Sequence, residues 1–246
     1  MVLPPKREIL SITVEPLSVP SLKSACASRL EHLILSGQFK IGEALPPERN
    51  LAEQLGVSRP VLHEALVDLA GKGLVSIIPR RGVRVSDYRN TGSVALLAAL
   101  LSYSNGKLDA PFQQSLIDMR LLMEVETARL AAFQRTPGHL IEFGRILEQE
   151  TMIDCRNAAT LAELDFSFHL LVANASGNLM YPLIMNSFKP VYTNLTQRFF
   201  SANLGNDVLD EVFSFHRCLV GAIDQRDSYS AAAVMGELLR HGAAHL

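Results

Sequence analysis

Proline placement constrains this chain more than any other feature. Eight of its 12 prolines fall within the first 90 of 246 residues, and only Pro111, Pro137, Pro182 and Pro190 follow. Proline lacks an amide hydrogen, and its ring clashes with the preceding helical turn. The larger C-terminal part is therefore free to form long helices, whereas the N-terminal part must be assembled from short ones. Pro4, Pro5, Pro16 and Pro20 mark residues 1–20 as an irregular, flexible arm. The polar stretch Asp87-Tyr88-Arg89-Asn90-Thr91-Gly92 lies between an alternating segment and a new apolar run. It sets the join between a domain over 21–88 and a second over 89–246.

In the first domain, Leu22, Cys26, Leu30, Leu33 and Ile34 recur at helical spacing and stop at Ser36-Gly37, which predicts a first helix. Pro46-Pro47-Glu48 starts a second, with Leu51, Ala52 and Leu55 as its buried side and Gly56 as its end. Ser58 reads as the N-cap of a third helix, whose apolar stripe is Leu62, Ala65, Leu66, Leu69 and Ala70. Two strand-like runs, 74–78 and 83–85, flank the turn Pro79-Arg80-Arg81-Gly82. The expectation is a helix-turn-helix with a small two-stranded wing.

That fold carries a chemistry. The first turn of the second helix of such a pair faces the major groove, and there Pro60, His63 and Glu64 fall off the apolar stripe. Arg59 sits at the entrance with a side chain able to bridge guanine O6 and N7. Arg80, Arg81 and Arg84 put three cations on the hairpin, suited to phosphates or the minor groove. The overall charge of −2 conceals this: residues 1–88 carry 11 Lys/Arg and 9 Asp/Glu, and the remainder 12 and 16. A basic module is joined to an acidic one. The surplus is small, which predicts modest non-specific affinity with a salt dependence set by a few arginines.

Other function classes recede. Cys26, Cys155 and Cys218 form no C-x-x-C pair, as expected of reduced thiols in cytoplasm rather than a disulfide framework. The opening residues lack a signal-peptide core, and the longest apolar run, Val94 to Leu101, is far short of the ~20 residues that span a bilayer. No membrane partner is expected. Neither H-E-x-x-H nor G-x-S-x-G occurs, so no enzyme is expected.

Residues 92–104, 110–135, 138–155, 158–175, 181–202, 207–225 and 229–245 have helical patterns, which predict an antiparallel all-α bundle of about six or seven helices in a mainly α protein. Its interior is not purely apolar. Asp165 and His169, four residues apart, lie one above the other and flank a face made by Leu161, Leu164, Phe168 and Val172. His216 falls among Val212, Phe213, Leu219, Val220 and Ile223. The tetrapeptide Phe-Ser-Phe-His occurs at 166–169 and again at 213–216. Two readings remain open for these groups: a site for a divalent cation such as zinc, nickel or manganese, or core histidines satisfied by ordinary hydrogen bonds. Asp165, His169 and His216 around a metal also have the form of a hydrolytic site with an open coordination position. Arg120 either receives the carboxylate of a small molecule or pairs with Glu124 one turn on.

The run from Leu45 to Leu66, Leu-Pro-Pro-Glu-Arg-Asn-Leu-Ala-Glu-Gln-Leu-Gly-Val-Ser-Arg-Pro-Val-Leu-His-Glu-Ala-Leu, followed by Leu69, Gly73-Leu74-Val75 and Arg81-Gly82-Val83, resembles the winged-helix domain of the GntR family of bacterial transcription regulators over residues 22–86. The resemblance implies that Arg49 contacts phosphate, that Ser58 and Arg59 engage backbone and bases, and that the wing with Arg80, Arg81, Gly82 and Arg84 enters the minor groove. The family usually has arginine where this chain has His63, which implies a different contact there.

Arg120-x3-Glu124 with Ala128, Ala131 and Ala132, then Asp165-x3-His169, Ala175-Ser-Gly-Asn178, His216 with Ala222-Ile223, and Asp227-x3-Ala231-x3-Met235, resembles the effector-binding FCD domain of the FadR subgroup. By that resemblance Asp165, His169 and His216 hold a metal, and Arg120 and Asn178 join them around a small carboxylate effector. The fourth ligand position, three residues after Met235, holds Leu238; His241 and His245, one and two turns on, are the candidate substitutes. Tyr181-x-Leu-Ile-x-Asn186-x2-Lys189-x2-Tyr192-Thr193 with Phe199-Phe200 is instead similar to the branch that responds to fatty acyl-CoA without a metal. Either way the resemblance implies a metabolite-responsive regulator that binds a palindromic double-stranded DNA operator as a homodimer.

Overall fold

The computed structural model describes residues 21–104, 106, 109–153, 157–205 and 207–246. The expected arm over 1–20, Cys155 and the end of the 138–155 pattern, and Asn206 lie outside the described residues.

Helix α1, Leu22–Leu35, is capped by Ser21, whose hydroxyl accepts the Ser24 amide at 3.1 Å. Its buried side is Cys26, Ala27, Leu30 and Ile34, whereas Leu22 is 67% exposed in the first turn and does not join the core as expected. Helix α2, Glu48–Leu55, ends at Gly56 in the left-handed conformation (φ 66°), and α3, Arg59–Gly71, starts two residues later. Leu62, Leu66 and Leu69 of α3 pack fully buried against Leu30 and Leu51. Ser58 occupies the N-cap position of α3 with extended backbone, but its side chain makes no capping hydrogen bond. Strands β1, Val75–Ile78, and β2, Gly82–Val85, pair antiparallel with Val75 opposite Val85 and Ile78 opposite Gly82. Val75, Val83 and Val85 point into the core, and Arg80 and Arg81 stand exposed at the turn. The result is the expected winged helix-turn-helix.

The stretch between the two cores is more structured than its polarity suggested. A short helix α4, Tyr88–Thr91, folds back on the end of α3: Thr91 Oγ1 donates to the Gly73 carbonyl, and Ser93 Oγ to that of Gly71, both at 2.9 Å. Ser93 also gives its amide to the Lys72 carbonyl at 3.1 Å, so the next helix, α5, starts only at Leu96 and runs Leu96–Tyr103. Its Leu96 and Ala99 are buried in the winged-helix core, and its Leu97 and Leu101 pack toward the bundle.

The bundle comprises α6 (Ala110–Gln134), α7 (Pro137–Met152), α8 (Ala158–Ala175), α9 (Met180–Ser187), α10 (Lys189–Ala202), α11 (Val208–Asp224) and α12 (Ser228–Ala244). All four C-terminal prolines sit in first turns, where the missing amide is of no consequence. Pro190 explains the one break the helical pattern concealed. The expected 181–202 helix is split at Phe188, because the Pro190 ring cannot follow a helical carbonyl at Asn186. Helix α6 packs on α8 and α12, α8 also on α7 and α10, and α11 on α12.

Gly73 has φ +79°, and a Cβ there would lie 2.1 Å from the Thr91 carbonyl oxygen. Gly73→Ala is expected to lower stability by about 2 kcal/mol or more, from left-handed strain and the clash together. Chemical denaturation followed by circular dichroism measures it.

Candidate functional site

The bundle interior brings three of the singled-out residues together. Asp165, His169 and His216 each offer a ligand atom within 4.8 Å of the others. Asp165 Oδ1 faces His216 Nε2 at 3.7 Å and His169 Nε2 at 3.9 Å. Both distances exceed a hydrogen bond. The Asp/His pair on α8 therefore does not satisfy itself, and His216 Nε2 has no hydrogen-bond partner among the described residues.

The far side of each imidazole is held by a glutamate. His169 Nδ1 lies 2.5 Å from Glu124 Oε2, and His216 Nδ1 lies 2.5 Å from Glu150 Oε1; all four side chains are at most 2% exposed. A carboxylate only accepts. His216 Nδ1 therefore carries the proton and donates it to Glu150, whereas His169 Nδ1 lies against Glu124 at ion-pair distance outside hydrogen-bond geometry; both contacts leave Nε2 facing Asp165. Metal-binding histidines are oriented in this way by outer carboxylates. Phe168 stacks on His216 with ring centroids 3.9 Å apart and fixes its plane. The repeated tetrapeptide thus delivers both imidazoles to one carboxylate oxygen.

Asp165 Oδ2 accepts a 2.8 Å hydrogen bond from the Tyr192 hydroxyl, which accepts one from Arg120 Nη2 at 2.9 Å. Arg120 donates its Nε to Glu124 at 2.6 Å and stacks over the Tyr192 ring at 4.1 Å. Burial alone would raise the Glu124 carboxyl, but the adjacent Arg120 and His169 outweigh it and hold the pKa at about 2. Burial pushes the Tyr192 phenol well up, so it stays protonated as a donor. Burial opposes the Arg120 cation, and Glu124 and Tyr192 more than restore it.

Two imidazoles and one carboxylate suit zinc, nickel or manganese. The three donor atoms, within 4.8 Å of one another, could hold such an ion once drawn together by up to about an ångström. Leu238, at the expected fourth ligand position, is buried and supplies no donor. The candidate substitutes do not replace it. His241 faces Glu211 at 3.3 Å and His245 at a ring separation of 4.5 Å, and neither joins the ligand group among the described residues.

A small cavity of about 50 Å³, partly open to solvent, adjoins the cluster. Arg120, Asp165, His169 and Thr196 are its polar lining. Of the two readings of Arg120, the salt bridge with Glu124 is present, and the same side chain also lines the cavity. Asn178 does not. It is exposed at the turn after α8, its carboxamide oxygen accepts the Met180 amide at 2.9 Å, and it is absent from the cavity wall.

On the winged helix, Arg49, Ser58, Arg59, Pro60 and His63 are all exposed. His63 Nδ1 lies 3.3 Å from Glu48 and ties the start of α2 to α3. Arg84 departs from the expected free cation: its guanidinium bonds back to the Gly42 carbonyl, leaving Arg80 and Arg81 at the wing tip.

A winged helix-turn-helix joined to an all-helical bundle is the architecture of a DNA-binding regulator. Residues 22–85 match the bacterial regulatory proteins of the gntR family, and residues 115–241 match the FCD domain. The chain therefore belongs to the GntR family of transcriptional regulators, in its FadR-type subgroup with an FCD domain, and is not an enzyme. It is 33% identical over 172 residues to the Glc operon transcriptional activator of Escherichia coli strain K12, covering 68% of this chain and 66% of that one. It is 32% identical over 168 residues to the fatty acid metabolism regulator protein of Yersinia enterocolitica, covering 68% of each. The solved structure of Lar, described as controlling the Listeria monocytogenes agr system, shares the fold at a TM-score of 0.54 and 17% identity, covering 93% of this chain and 99% of that one.

Sequence reasoning missed Glu150. Phe143, Ile146, Leu147 and Glu150 follow the spacing of one helical face, and an acid on an apolar stripe was the available signal. Glu124→Gln is expected to cost about 3–5 kcal/mol, because it strands the Arg120 cation in the interior; thermal and urea melts of the purified variant check it.

Proposed function

We propose that this regulator binds a palindromic operator as a homodimer and senses a small carboxylate in the cavity beside Asp165, His169 and His216, with a divalent cation held by those three side chains. Residues 21–88 read the DNA and residues 89–246 sense and dimerise. The observation that carries the effector site is the pair of imidazoles, each fixed by a glutamate and turned toward one Asp165 oxygen that neither can hydrogen-bond. When bound, the cation supplies positive charge and open coordination positions for an anion. Arg120 orients the anion from the cavity wall, and Tyr192 holds Asp165 in place. Support for a dimer comes from large apolar side chains in solvent on α6 and α9, including Leu122, Phe133 and Leu183, which a second copy would cover.

Two-fold symmetry would place two copies of α3 on successive major-groove half-sites, with Ser58, Arg59, Pro60 and His63 at the bases and Arg49, Arg80, Arg81 and Gly82 at the backbone and minor groove. The effector acts by favouring one relative arrangement of the two winged helices. An acyl effector without metal is the second reading, favoured by the largely apolar cavity wall.

Metal analysis separates the two. Purified protein dialysed against zinc, nickel or manganese is expected to retain about one ion per chain, and Asp165→Ala and His216→Ala to lose it; equal content in all three rejects the site. For DNA, Arg59→Ala is expected to weaken binding to duplexes selected from a random library by the intact protein, by ~1–3 kcal/mol. Gel-shift titration measures this, and unaltered affinity rejects the recognition-helix assignment.

A further inference from the structure

The exposed face of α3 carries one histidine whose ring is already held from behind. His63 lies one turn after Arg59, and its Nδ1 stands 3.3 Å from Oε1 of Glu48, the first residue of α2. A carboxylate oxygen has no proton to give, so Nδ1 donates, and in the neutral imidazole the other nitrogen, Nε2, is left with a lone pair. Nε2 has no hydrogen-bond partner among the described residues, and the side chain is 54% exposed, so the lone pair is open to a partner from outside the fold. We propose that His63, with its tautomer set by Glu48, reads an amine-bearing base in the major groove, adenine through N6 or cytosine through N4, close to the base that Arg59 reads. This rests on the preceding reading of α3 as the recognition helix, and it makes Glu48 a positioning residue for operator specificity.

The donor and acceptor pattern of the groove makes the choice. Adenine N6 and cytosine N4 are its exocyclic donors, whereas guanine O6 and N7 and thymine O4 are acceptors. Arg59 has donors alone and suits guanine. An imidazole that presents Nε2 as an acceptor is attracted by an amine and repelled by a carbonyl, the opposite preference from an arginine at the same place. Four residues of helix separate Arg59 from His63 by about 6 Å along the axis, or about two base-pair steps. The exposed Glu64 beside His63 adds a further acceptor of the kind that takes cytosine N4. Glu48 is only 29% exposed, and its contact with His63 occupies a carboxylate that would otherwise stand unpartnered near the phosphates. Closure of α3 on DNA excludes water from this contact, and the hydrogen bond then counts for more than at an open surface.

The test starts from duplexes selected out of a random library by the intact protein at pH 8, which favours neutral imidazole, and repeats the selection with His63→Arg and with Arg59→Ala. One position is expected to change in the His63→Arg selection from adenine or cytosine to guanine on the same strand, within about two base pairs of the guanine whose preference Arg59→Ala loses. Anisotropy titrations then use duplexes with purine in place of that adenine, or 2-pyrimidinone in place of that cytosine, which lack the amine. The replacement is expected to cost the intact protein about two- to tenfold more affinity than it costs His63→Ala, a comparison that cancels the lost pairing bond. Glu48→Ala is expected to lose this discrimination, and Glu48→Gln, whose carbonyl still accepts from Nδ1, to keep it. Melting curves establish that each variant is folded. A His63→Ala change that weakens binding to all sequences alike, as loss of a phosphate contact does, overturns the proposal. So does guanine or thymine already selected there by the intact protein, or a Glu48→Ala variant that discriminates as well as the intact one. An Arg59→Ala selection identical to that of the intact protein instead rejects α3 as the recognition helix, and with it the reading on which this one rests.

Discussion

The arrangement of the bundle depends on one buried guanidinium. Arg120 on α6 holds Glu124 in its ionised form; Glu124 orients His169 on α8; and Arg120 also donates to Tyr192 on α10, which donates to Asp165 on α8. A parallel pair, Glu150 on α7 and His216 on α11, closes on the same Asp165 oxygen from the other side. Five helices are thereby registered to one point. Burying ions is expensive, and a buried ion pair is often no more stabilising than the leucines that would replace it. What the network provides is orientation: two imidazole nitrogens and a carboxylate oxygen are presented together in an apolar interior.

The two cores are joined through one helix. Leu96 and Ala99 of α5 are part of the winged-helix core, while Leu97 and Leu101 pack with Leu116, Val191 and Leu195 of the bundle. Leu195 also lines the cavity. At its other end α5 follows directly on the Thr91 and Ser93 hydroxyls bound to the carbonyls that end α3, the helix that carries Arg59. The cavity wall and the recognition helix are thus linked by contiguous packing and two side-chain hydrogen bonds.

Much of this was legible from residue order. The winged helix follows from short-range signals: Pro47 and Glu48 at a helix start, Gly56 in the left-handed turn, apolar spacing in α3 and alternation in the wing. Asp165, His169 and His216 were recognisable as polar groups beside apolar stripes. The structure differs where non-local contacts intervene. Asn178, grouped with the effector residues by motif, spends its side chain on the α8–α9 turn. Arg84, legible as a free cation, folds onto Gly42, and Leu22 stays in solvent because the first turn of α1 overhangs its core. Helix α4 forms because its end can dock on Gly73, a partner 18 residues earlier.

Proline placement and apolar period by themselves determine that short helices and a wing precede a bundle of longer helices, because both act through backbone geometry within a turn or two of each residue. The family is legible only by resemblance, carried by the contiguous run from Leu45 to Leu66 and borne out by the match over residues 22–85. Which polar side chains meet is a tertiary matter. Glu150 is 66 residues from His216, and Arg120 is 72 from Tyr192. Only packing of the helices decides that these groups share one buried cluster, and that the face opposite it is leucine.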